Sequence, residues 1–321
     1  MKCVVTGGAG FIGSHVVDAL TARGDSVLIL DDFSTGSEGN IAGAKSSGAN
    51  LDVVRCDLCS KDAFDALVNF KPDAVFHLAA QINVRKSVED PVFDADKNVC
   101  GTVNMLEAAR VADCPRFVFS STGGAIYGEQ DVFPAPEDHP VHAESPYGIS
   151  KRAAELYLEY YGRVFGRSTT SLRFSNVYGP RQNPKGEAGV VAIFSERLIA
   201  GEALTVFGDG MQTRDFVFVG DVVNAVLSAA DSADKPGFRV FNVGTGVETS
   251  VMDVVAGMRT AWKAMDKADD GIVVEHAPER QGEQRRSVID HSKLTSELGW
   301  RPKVNLESGL EKTLRSYFSD S

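Results

Sequence analysis

Short apolar runs alternate with longer amphipathic segments through the first half of the chain. Runs of this kind are typical of buried parallel strands, whereas the longer segments repeat apolar residues at helical spacing. The predicted strands are Cys3–Thr6, Val27–Asp31, Leu51–Cys56, Ala74–Leu78, Phe117–Ser120 and Thr169–Phe174. The predicted helices include Phe11–Arg23, Lys61–Phe70 and Pro91–Ala112. This alternation predicts stacked βαβ units and an α/β fold.

The pattern becomes irregular after about Asn176, where loops rich in Gly, Pro and Asn appear. The run Val217–Ala230 followed by Phe238–Val243 again indicates a helix and a strand, so we expect a return to the first sheet. We predict a Rossmann-type, doubly wound parallel sheet over residues 1–175, with a return at 216–246. Residues 176–215 and 247–321 are predicted to form a smaller mixed α/β domain that supplies substrate loops.

A glycine-rich loop follows the first strand and precedes the first helix. Gly7, Gly10 and Gly13 lie at the spacing that lets the backbone approach a pyrophosphate at a helix N-terminus. The next strand ends in Asp31-Asp32, where an acidic side chain can bond the adenosine ribose and repel a 2′-phosphate. The loop therefore predicts a dinucleotide site, and the aspartates indicate NAD rather than NADP.

Tyr147 and Lys151 are four residues apart, hence on one face of the helix that begins near Ser145-Pro146. A phenol beside a lysine cation and an oxidised nicotinamide should have a lowered pKa and act as a general base. Hydroxyl residues of the segment Ser120–Gly128 follow a strand, at the edge of an open α/β sheet where ligands bind. The alternative is that these hydroxyls only cap the turn.

Composition narrows the class of protein. The formal net charge of −11 argues against a protein that binds nucleic acid through the phosphate backbone. No segment reaches membrane-spanning length, and no signal peptide is recognisable. The five cysteines are scattered, which is typical of reduced thiols in the cytoplasm. Cys56 and Cys59 form one lone Cys-x-x-Cys, for which we favour packing over zinc or redox chemistry, so no metal is expected.

Together these motifs resemble the UDP-glucose 4-epimerase family of extended short-chain dehydrogenase/reductases. The likeness covers almost the whole chain, through Thr6–Gly13, Asp31–Gly36, Asp57-Leu58, His77–Gln81, Asn98, Ser120–Gly128, Tyr147–Lys151 and Asn176–Arg181. It implies NAD as cofactor and contacts from Phe11, Ile12, Ser34, Thr35, Gly36, Asp57, Leu58, Leu78, Ala79, Ala80 and Asn98, besides the glycines, aspartates and catalytic pair above. The family has a catalytic Ser or Thr, for which Thr122 is preferred here and Ser121 is second, because Thr122-Gly123-Gly124 contains an apparent one-residue insertion.

The resemblance also implies a UDP-sugar substrate. Arg214 and Arg280 match family arginines that bind the diphosphate, and such guanidiniums are suited to it. Glu283 matches an acid that contacts the uridine ribose, and Asn176 an asparagine that contacts the substrate. Val190, Thr205 and Phe207 lie in segments expected to form the uracil-side wall, although these segments could equally pack the small domain.

The implied reaction is NAD-dependent 4-epimerisation of a UDP-hexose, UDP-glucose or UDP-galactose, by transient oxidation at carbon 4. The alternatives are a UDP-glucuronate epimerase or decarboxylase, a nucleotide-sugar 4,6-dehydratase, and a non-catalytic NAD-binding scaffold. Dehydratases usually have Asp-Glu after the catalytic threonine, whereas Gly123-Gly124 follow it here.

Two further expectations follow from the family. The first is a homodimer formed by the helices at about Pro91–Ala112 and Tyr147–Phe165, with apolar residues at Val99, Val103, Leu106, Leu156, Tyr160 and Tyr161. The second concerns Ser287, at a position where a bulky tyrosine often excludes N-acetylated sugars. A small residue there predicts that the N-acetylated pair is accepted as well, unless Ser287 faces solvent.

Overall fold

A computed structural model describes residues 1–185, 189–233, 235–267, 272–279 and 284–319. Its strands are, in chain order, β1 (Lys2–Thr6), β2 (Ser26–Asp31), β3 (Leu51–Arg55), β4 (Ala74–His77), β5 (Arg116–Thr122), β6 (Ser168–Phe174), β7 (Asn176–Tyr178), β8 (Leu204–Phe207), β9 (Thr213–Arg214), β10 (Phe216–Phe218), β11 (Gly237–Val243), β12 (Thr249–Ser250), β13 (Val274–Ala277) and β14 (Arg286–Ser287). Its helices are α1 (Phe11–Ala22), α2 (Glu38–Ser46), α3 (Lys61–Phe70), α4 (Val84–Glu89), α5 (Pro91–Ala95), α6 (Gly101–Val111), α7 (Gly123–Ile126), α8 (Pro146–Phe165), α9 (Val190–Ala200), α10 (Val219–Asp231), α11 (Val251–Lys263), α12 (Ser292–Leu298) and α13 (Leu306–Ser319), with a π-helical segment at Asp96–Cys100.

Seven parallel strands form the central sheet in the order β11-β6-β5-β4-β1-β2-β3. Side chains of a strand alternate between the two faces of a sheet, so Cys3 and Val5 enter one core and Val4 the other. Helices α1 and α10 cover the first face, and α3, α6 and α8 the second. The predicted Rossmann-type, doubly wound sheet is confirmed. Its strand order reverses between β1 and β4, which is where ligands bind in such sheets.

The segment predicted as one helix over Pro91–Ala112 is divided in three. Asp90 caps α5 by accepting a hydrogen bond from the Phe93 N–H, and the π-helical segment then separates α5 from α6. Both Asp94 and Asn98 are buried, with an Asn98 Nδ2 to Asp94 Oδ1 distance of 3.1 Å. The wider turn thus brings two polar side chains together inside the protein, an arrangement that π-bulges often provide at functional sites.

The second half of the chain forms three small sheets, β7–β10, β8–β13 and β12–β9–β14. A third core joins the β7–β10 and β8–β13 sheets to α9, α11 and α13, and Phe11 and Ile12 of α1 pack against its edge. The predicted helix Val217–Ala230 is α10 preceded by β10, and the following strand, β11, lies at the edge of the central sheet beside β6. The division into two domains at the boundaries given above stays a proposal. No helix within the described ranges is long and apolar enough to cross a membrane.

Candidate active site

The glycine loop is packed against the end of β4. Gly7 has φ of +68°, and a Cβ added to it would lie 2.8 Å from the backbone of Ala79. At Gly13 an added Cβ would lie 2.0 Å from the carbonyl oxygen of Gly7. Only glycine permits these approaches. The loop therefore forms a cradle of bare backbone at the point where the strand order reverses.

No side chain caps the first turn of α1, whose N-cap is Gly10. The first N–H groups of a helix lack partners within the helix, and together with the dipole they favour an anion. The N–H groups of Phe11, Ile12 and Gly13 belong to this turn. Its geometry therefore fits the pyrophosphate of a dinucleotide.

The two aspartates after β2 have different surroundings. Asp31 is buried, and its carboxylate accepts the N–H groups of Ala9 (2.9 Å) and Phe33 (2.8 Å), so it holds the glycine loop in place. Asp32 is exposed and accepts hydrogen bonds from the N–H and hydroxyl of Ser34. Both lie beside the cradle, and Asp32 is the one whose side chain is open to a ligand.

The remaining residues expected near the cofactor line the same edge of the sheet. Gly36 packs on the glycine loop, with an added Cβ 3.0 Å from the Ala9 carbonyl oxygen, and Thr35 beside it is exposed. Asp57 accepts the Cys59 N–H and pairs with Lys97 at 2.5 Å, and the Leu58 carbonyl accepts the Asn104 amide. These residues follow the carboxyl ends of β2 and β3, and their roles toward NAD stay predictions.

The loop after β4 is fixed from both sides. The N–H groups of Leu78 and Ala79 donate to the Thr6 hydroxyl at 3.2 Å. Asn98 is 3% exposed and bonds both the N–H and the carbonyl of Gln81, so its side chain holds this loop. These contacts give Asn98 a structural role, and its expected contact with the cofactor stays a prediction. Ala80 follows Ala79 and is partly exposed.

Tyr147 and Lys151 lie in the first turns of α8. Ser145 caps this helix by accepting the Gly148 N–H at 3.2 Å, and Pro146 occupies its first turn. Lys151 is 2% exposed and donates to the Ser120 carbonyl at 2.7 Å, with its Nζ 6.0 Å from the centre of the Tyr147 ring. The helix therefore brings the phenol and ammonium to the end of β5.

The two candidate hydroxyls face opposite sides of β5, since neighbouring residues of a strand alternate. Thr122 caps α7 by accepting the Ala125 N–H, and its hydroxyl lies near enough to Tyr147 to act against the rise in the pKa of the phenol. Ser121 lies on the side of Glu155, where its hydroxyl helps to lower the pKa of that carboxyl. Only Thr122 is thus within reach of the phenol, which supports the preferred assignment.

Burial opposes the charged forms of Tyr147 and Lys151. It raises the pKa of Tyr147, Asp94 adds to this rise, and the nearby Thr122 hydroxyl opposes it. Burial lowers the pKa of Lys151 to about 7, although Asp94 and Glu155 oppose the fall. The chain's own groups therefore do not produce the lowered phenol pKa expected from the sequence, because desolvation outweighs the lysine.

On the substrate side, the small sheet places Arg214 beside Ser287, which are register partners in β9 and β14. Ser287 is 4% exposed, so the alternative that it faces solvent is wrong. Asn176 begins β7, and its Oδ1 lies 3.7 Å from the position of a Cβ added to Gly124. Asn176 thus faces the loop that follows the candidate hydroxyl.

The residues expected at the uracil side lie on α9 and β8. Val190 begins α9, while Phe207 ends β8, and both are partly exposed. Thr205 accepts a hydrogen bond from Arg197 of α9, which ties the two elements together. Arg280 and Glu283 lie outside the described residues.

Sequence reasoning missed three polar residues behind the catalytic pair. Ser87 accepts the Tyr147 N–H at 3.2 Å, and Asp94 accepts the Ser150 hydroxyl at 2.6 Å. Asp94 could have been noticed, since it occupies a buried stripe of the predicted helix Pro91–Ala112 that otherwise favours apolar residues. The contact between Ser150 and Asp94 joins residues 56 positions apart, which no local pattern reveals.

The cysteine pair has no ligand geometry. Cys56 is buried and Cys59 partly buried, and burial raises the pKa of the two thiols to about 11 and about 12. Wherever the structure describes the chain, no three His, Cys, Asp or Glu side chains are grouped to hold a metal ion. Both thiols are therefore poor nucleophiles and ligands at neutral pH.

The family model described as GDP-mannose 4,6 dehydratase matches residues 4–313. The chain belongs to this family of extended short-chain dehydrogenase/reductases. Within the family it is similar to the UDP-glucose 4-epimerase of Mycolicibacterium smegmatis, with 46% identity over 321 residues, which is 100% of each chain.

Two solved structures extend this similarity. The UDP-glucose 4-epimerase of Thermotoga maritima, determined with UDP-glucose, has a TM-score of 0.90 and 43% identity, covering 100% of this chain and 99% of its own. That of Thermus thermophilus, determined with NAD, has a TM-score of 0.88 and 42% identity, covering 100% of both chains. The protein itself is therefore an NAD-dependent isomerase, similar to UDP-glucose 4-epimerase, that acts on a nucleotide sugar.

Proposed function

We propose that the protein interconverts UDP-glucose and UDP-galactose by transient oxidation at carbon 4. The observation that carries this proposal is the contact between Thr122 and Tyr147, with Lys151 behind them, at the edge of the sheet where the glycine cradle opens. A hydroxyl, a phenol and an ammonium in this order can remove and return one proton of a sugar hydroxyl.

In this reaction Tyr147 takes the proton of the 4-hydroxyl, and Thr122 bonds the reacting oxygen and passes the proton on. The ammonium of Lys151 stabilises the phenolate. NAD, when bound, supplies the hydride acceptor and a positive charge beside the phenol. After the 4-keto sugar turns over and carbon 4 takes its hydride back on the other face, the same residues return the proton to the oxygen, so the protein ends in its starting state.

The substrate end supports a diphosphate-linked sugar. Arg214 in β9 can offer two parallel donors to a diphosphate, and Asn176 faces the reacting loop. Arg280 and Glu283 are proposed to complete the contacts to diphosphate and uridine ribose, with Val190, Thr205 and Phe207 at the uracil. The solved relative with UDP-glucose supports this assignment by its 43% identity.

A 4,6-dehydratase or a UDP-glucuronate decarboxylase would need additional acid and base groups. At Gly123, the position after Thr122, an added Cβ would lie 2.7 Å from the Ile289 side chain. An acidic residue at this position, as follows the threonine in dehydratases, would therefore require the Ile289 side chain to move. This observation favours the epimerase over the dehydratase.

We further propose that the N-acetylated UDP-hexoses are accepted. Ser287 is small, buried and a register partner of Arg214, which supports a position beside the sugar. The Ser287→Tyr variant should selectively lower kcat/KM for UDP-N-acetylglucosamine relative to UDP-glucose. Equal loss for both substrates would show that this residue is not the gate.

A homodimer is proposed through one exposed face of α5 and α8. Leu156, Tyr157 and Tyr160 are 51%, 43% and 43% exposed, although they are large and apolar. Such a patch is typical of an interface. Leu106 and Tyr161, expected in the same interface, are instead buried in the monomer core, while Val99 and Val103 are half-buried.

We propose a cytoplasmic location because all five cysteines are unpaired thiols.

Incubation of the purified protein with UDP-glucose, followed by proton NMR, tests the proposed reaction. UDP-galactose should appear without added reductant, and Tyr147→Phe should lower its rate by on the order of a hundredfold or more while the folded protein keeps its NAD. Formation of a 4-keto-6-deoxy sugar would favour the dehydratase. A fully active Tyr147→Phe protein would refute the proposed base.

A further inference from the structure

A buried carboxylate lies behind the proposed catalytic pair. Asp94 of α5 has 0% of its surface exposed. Its Oδ2 accepts the Ser150 hydroxyl at 2.6 Å, and its Oδ1 accepts the amides of Gln81 at 2.8 Å and Asn98 at 3.1 Å. All three donors are neutral. A charge held in this way is costly to bury, so its position calls for a function.

The hydrogen bond from Ser150 reaches the catalytic turn itself. Ser150 is 5% exposed, stands directly before Lys151 and follows Tyr147 by three positions. The bond therefore fixes the rotation of the first turns of α8 against α5. A small rotation of this turn would move the phenol away from Thr122.

Asp94 also acts on the charges of the pair. Burial lowers the pKa of Lys151, and Asp94 is the largest of the influences that oppose this fall, before Glu155. Asp94 raises the pKa of Tyr147 as well. Within the described residues, other charged or titratable groups on elements packed against α8 include Arg173, His77 and those of α4. Arg173 and Arg152 bind Glu155, and burial and Lys151 lower the pKa of His77 to about 3. Asp96 pairs with Lys97 near the surface, and α4 carries Arg85, Lys86 and Glu89.

We propose that Asp94 is a positioning residue of the active site, which fixes the Tyr147–Lys151 turn through Ser150 and supplies a counter-charge that favours the ammonium form of Lys151. The inference rests on the catalytic role proposed above for that pair. An apolar side chain could fill this position but would supply neither the hydrogen bonds nor the negative charge. An amide would supply the hydrogen bonds alone, whereas the carboxylate supplies the hydrogen bonds and the charge.

The Asp94→Asn variant separates charge from shape. Asparagine keeps the size and can keep three hydrogen bonds, because the Ser150 hydroxyl can accept as well as donate. Loss of the negative charge lowers the pKa of both Tyr147 and Lys151, so both limbs of the pH profile of kcat should move to lower pH, by about one unit. The matched control is Asp221→Asn, a buried carboxylate on the opposite face of the sheet that accepts the Lys303 and Val304 N–H groups. Both limbs of the pH profile of kcat should stay at the wild-type pH in this control variant.

A spectroscopic measurement makes the test independent of the substrate. In the NAD-loaded protein labelled with [13Cζ]tyrosine, the Tyr147 signal is assigned by its loss in Tyr147→Phe. It should titrate about one pH unit lower in Asp94→Asn than in the wild type. If this shift appears in a protein that does not epimerise UDP-glucose, the inference stands and the proposed reaction falls.

Ser150→Ala tests the tether alone and decides the matter if Asp94→Asn does not fold. It keeps the charge, so kcat should fall about threefold or more while KM changes less than about twofold and the pH limbs stay in place. Wild-type kcat in Ser150→Ala, or an unmoved pH profile and Tyr147 titration in folded Asp94→Asn, would overturn the proposal.

Discussion

At the scale of single residues, the proposed catalytic pair lies in surroundings that disfavour charge. Lys151 is buried and Tyr147 is partly buried, and burial raises the pKa of the Tyr147 phenol and lowers that of the Lys151 ammonium to about 7. Neither charge is stabilised by a cation or anion in direct hydrogen-bond contact within the described part of the chain. The active site is therefore expected to cost stability, as functional sites commonly do.

This cost gives a prediction for Lys151. In the unfolded chain its ammonium titrates near the ordinary value of 10.5, so between about pH 7 and 10.5 the unfolded state binds more protons. The contribution of Lys151 to the free energy of unfolding then rises with pH, by up to about 1.4 kcal/mol per unit. The free energy of unfolding of cofactor-free protein, measured with urea, should rise more from pH 7 to 9 in the wild type than in Lys151→Met. A difference that is flat with pH, as expected for the exposed control Lys45→Met, would contradict this.

The two hydroxyls after β5 give a second prediction. Thr122→Val removes the hydroxyl that contacts Tyr147 and keeps the shape, so kcat should fall at least about tenfold, equivalent to about 1.4 kcal/mol of transition-state stabilisation. Ser121→Ala is the matched control on the other face of the strand and should change kcat by less than about threefold. Steady-state kinetics with UDP-glucose decides between them, and a larger loss in Ser121→Ala would reverse the assignment.

At the scale of elements, the sequence predicted those structures that depend on local pattern. Residues 61–70 form the predicted helix, and the six predicted strands form within two residues of their expected ends. The interruption of Pro91–Ala112 was not predicted, because one wider turn hardly changes the apolar periodicity. Short strands such as β9 were also missed, since Thr213 pairs with Arg286, far along the chain.

The glycine loop gives the prediction at this scale. Gly13→Ala places a Cβ 2.0 Å from the Gly7 carbonyl oxygen, so the loop must move and NAD should be lost from the purified protein. Gly43→Ala in α2 meets nothing within 4 Å and should keep NAD, with a free energy of unfolding unchanged or raised by up to about 1 kcal/mol. The ratio of NAD to protein is measured after heat release. Full NAD content in Gly13→Ala would show that the cradle is not the binding site.

At the scale of the whole molecule, the sheet followed from the order of strands and helices, whereas the active site needed the tertiary structure. The glycine loop and the Tyr147–Lys151 spacing are local motifs, and both were legible in the sequence. The choice of Thr122 and the presence of Asp94 behind the pair depend on β5, α5 and α8 meeting in space. Arg214 beside Ser287 depends likewise on strand register.

The exposed face of α5 and α8 predicts the oligomeric state. Leu156→Glu should convert a dimer into a monomer, because a carboxylate cannot be buried unpaired in an apolar interface. Val273→Glu, at an equally exposed apolar residue outside this face, should leave the dimer intact. Sedimentation equilibrium at micromolar concentration measures both. A monomeric wild-type protein would rule out the interface.

In the proposed reaction, carbon 4 of the sugar gives up a hydride and receives the same hydride back, and this hydride never leaves the active site. UDP-glucose deuterated at carbon 4, incubated with the purified protein in ordinary water, tests it directly by NMR and mass spectrometry of the product. The UDP-galactose formed should retain deuterium at carbon 4. Failure to form UDP-galactose, or replacement of that deuterium by hydrogen from water, would contradict it.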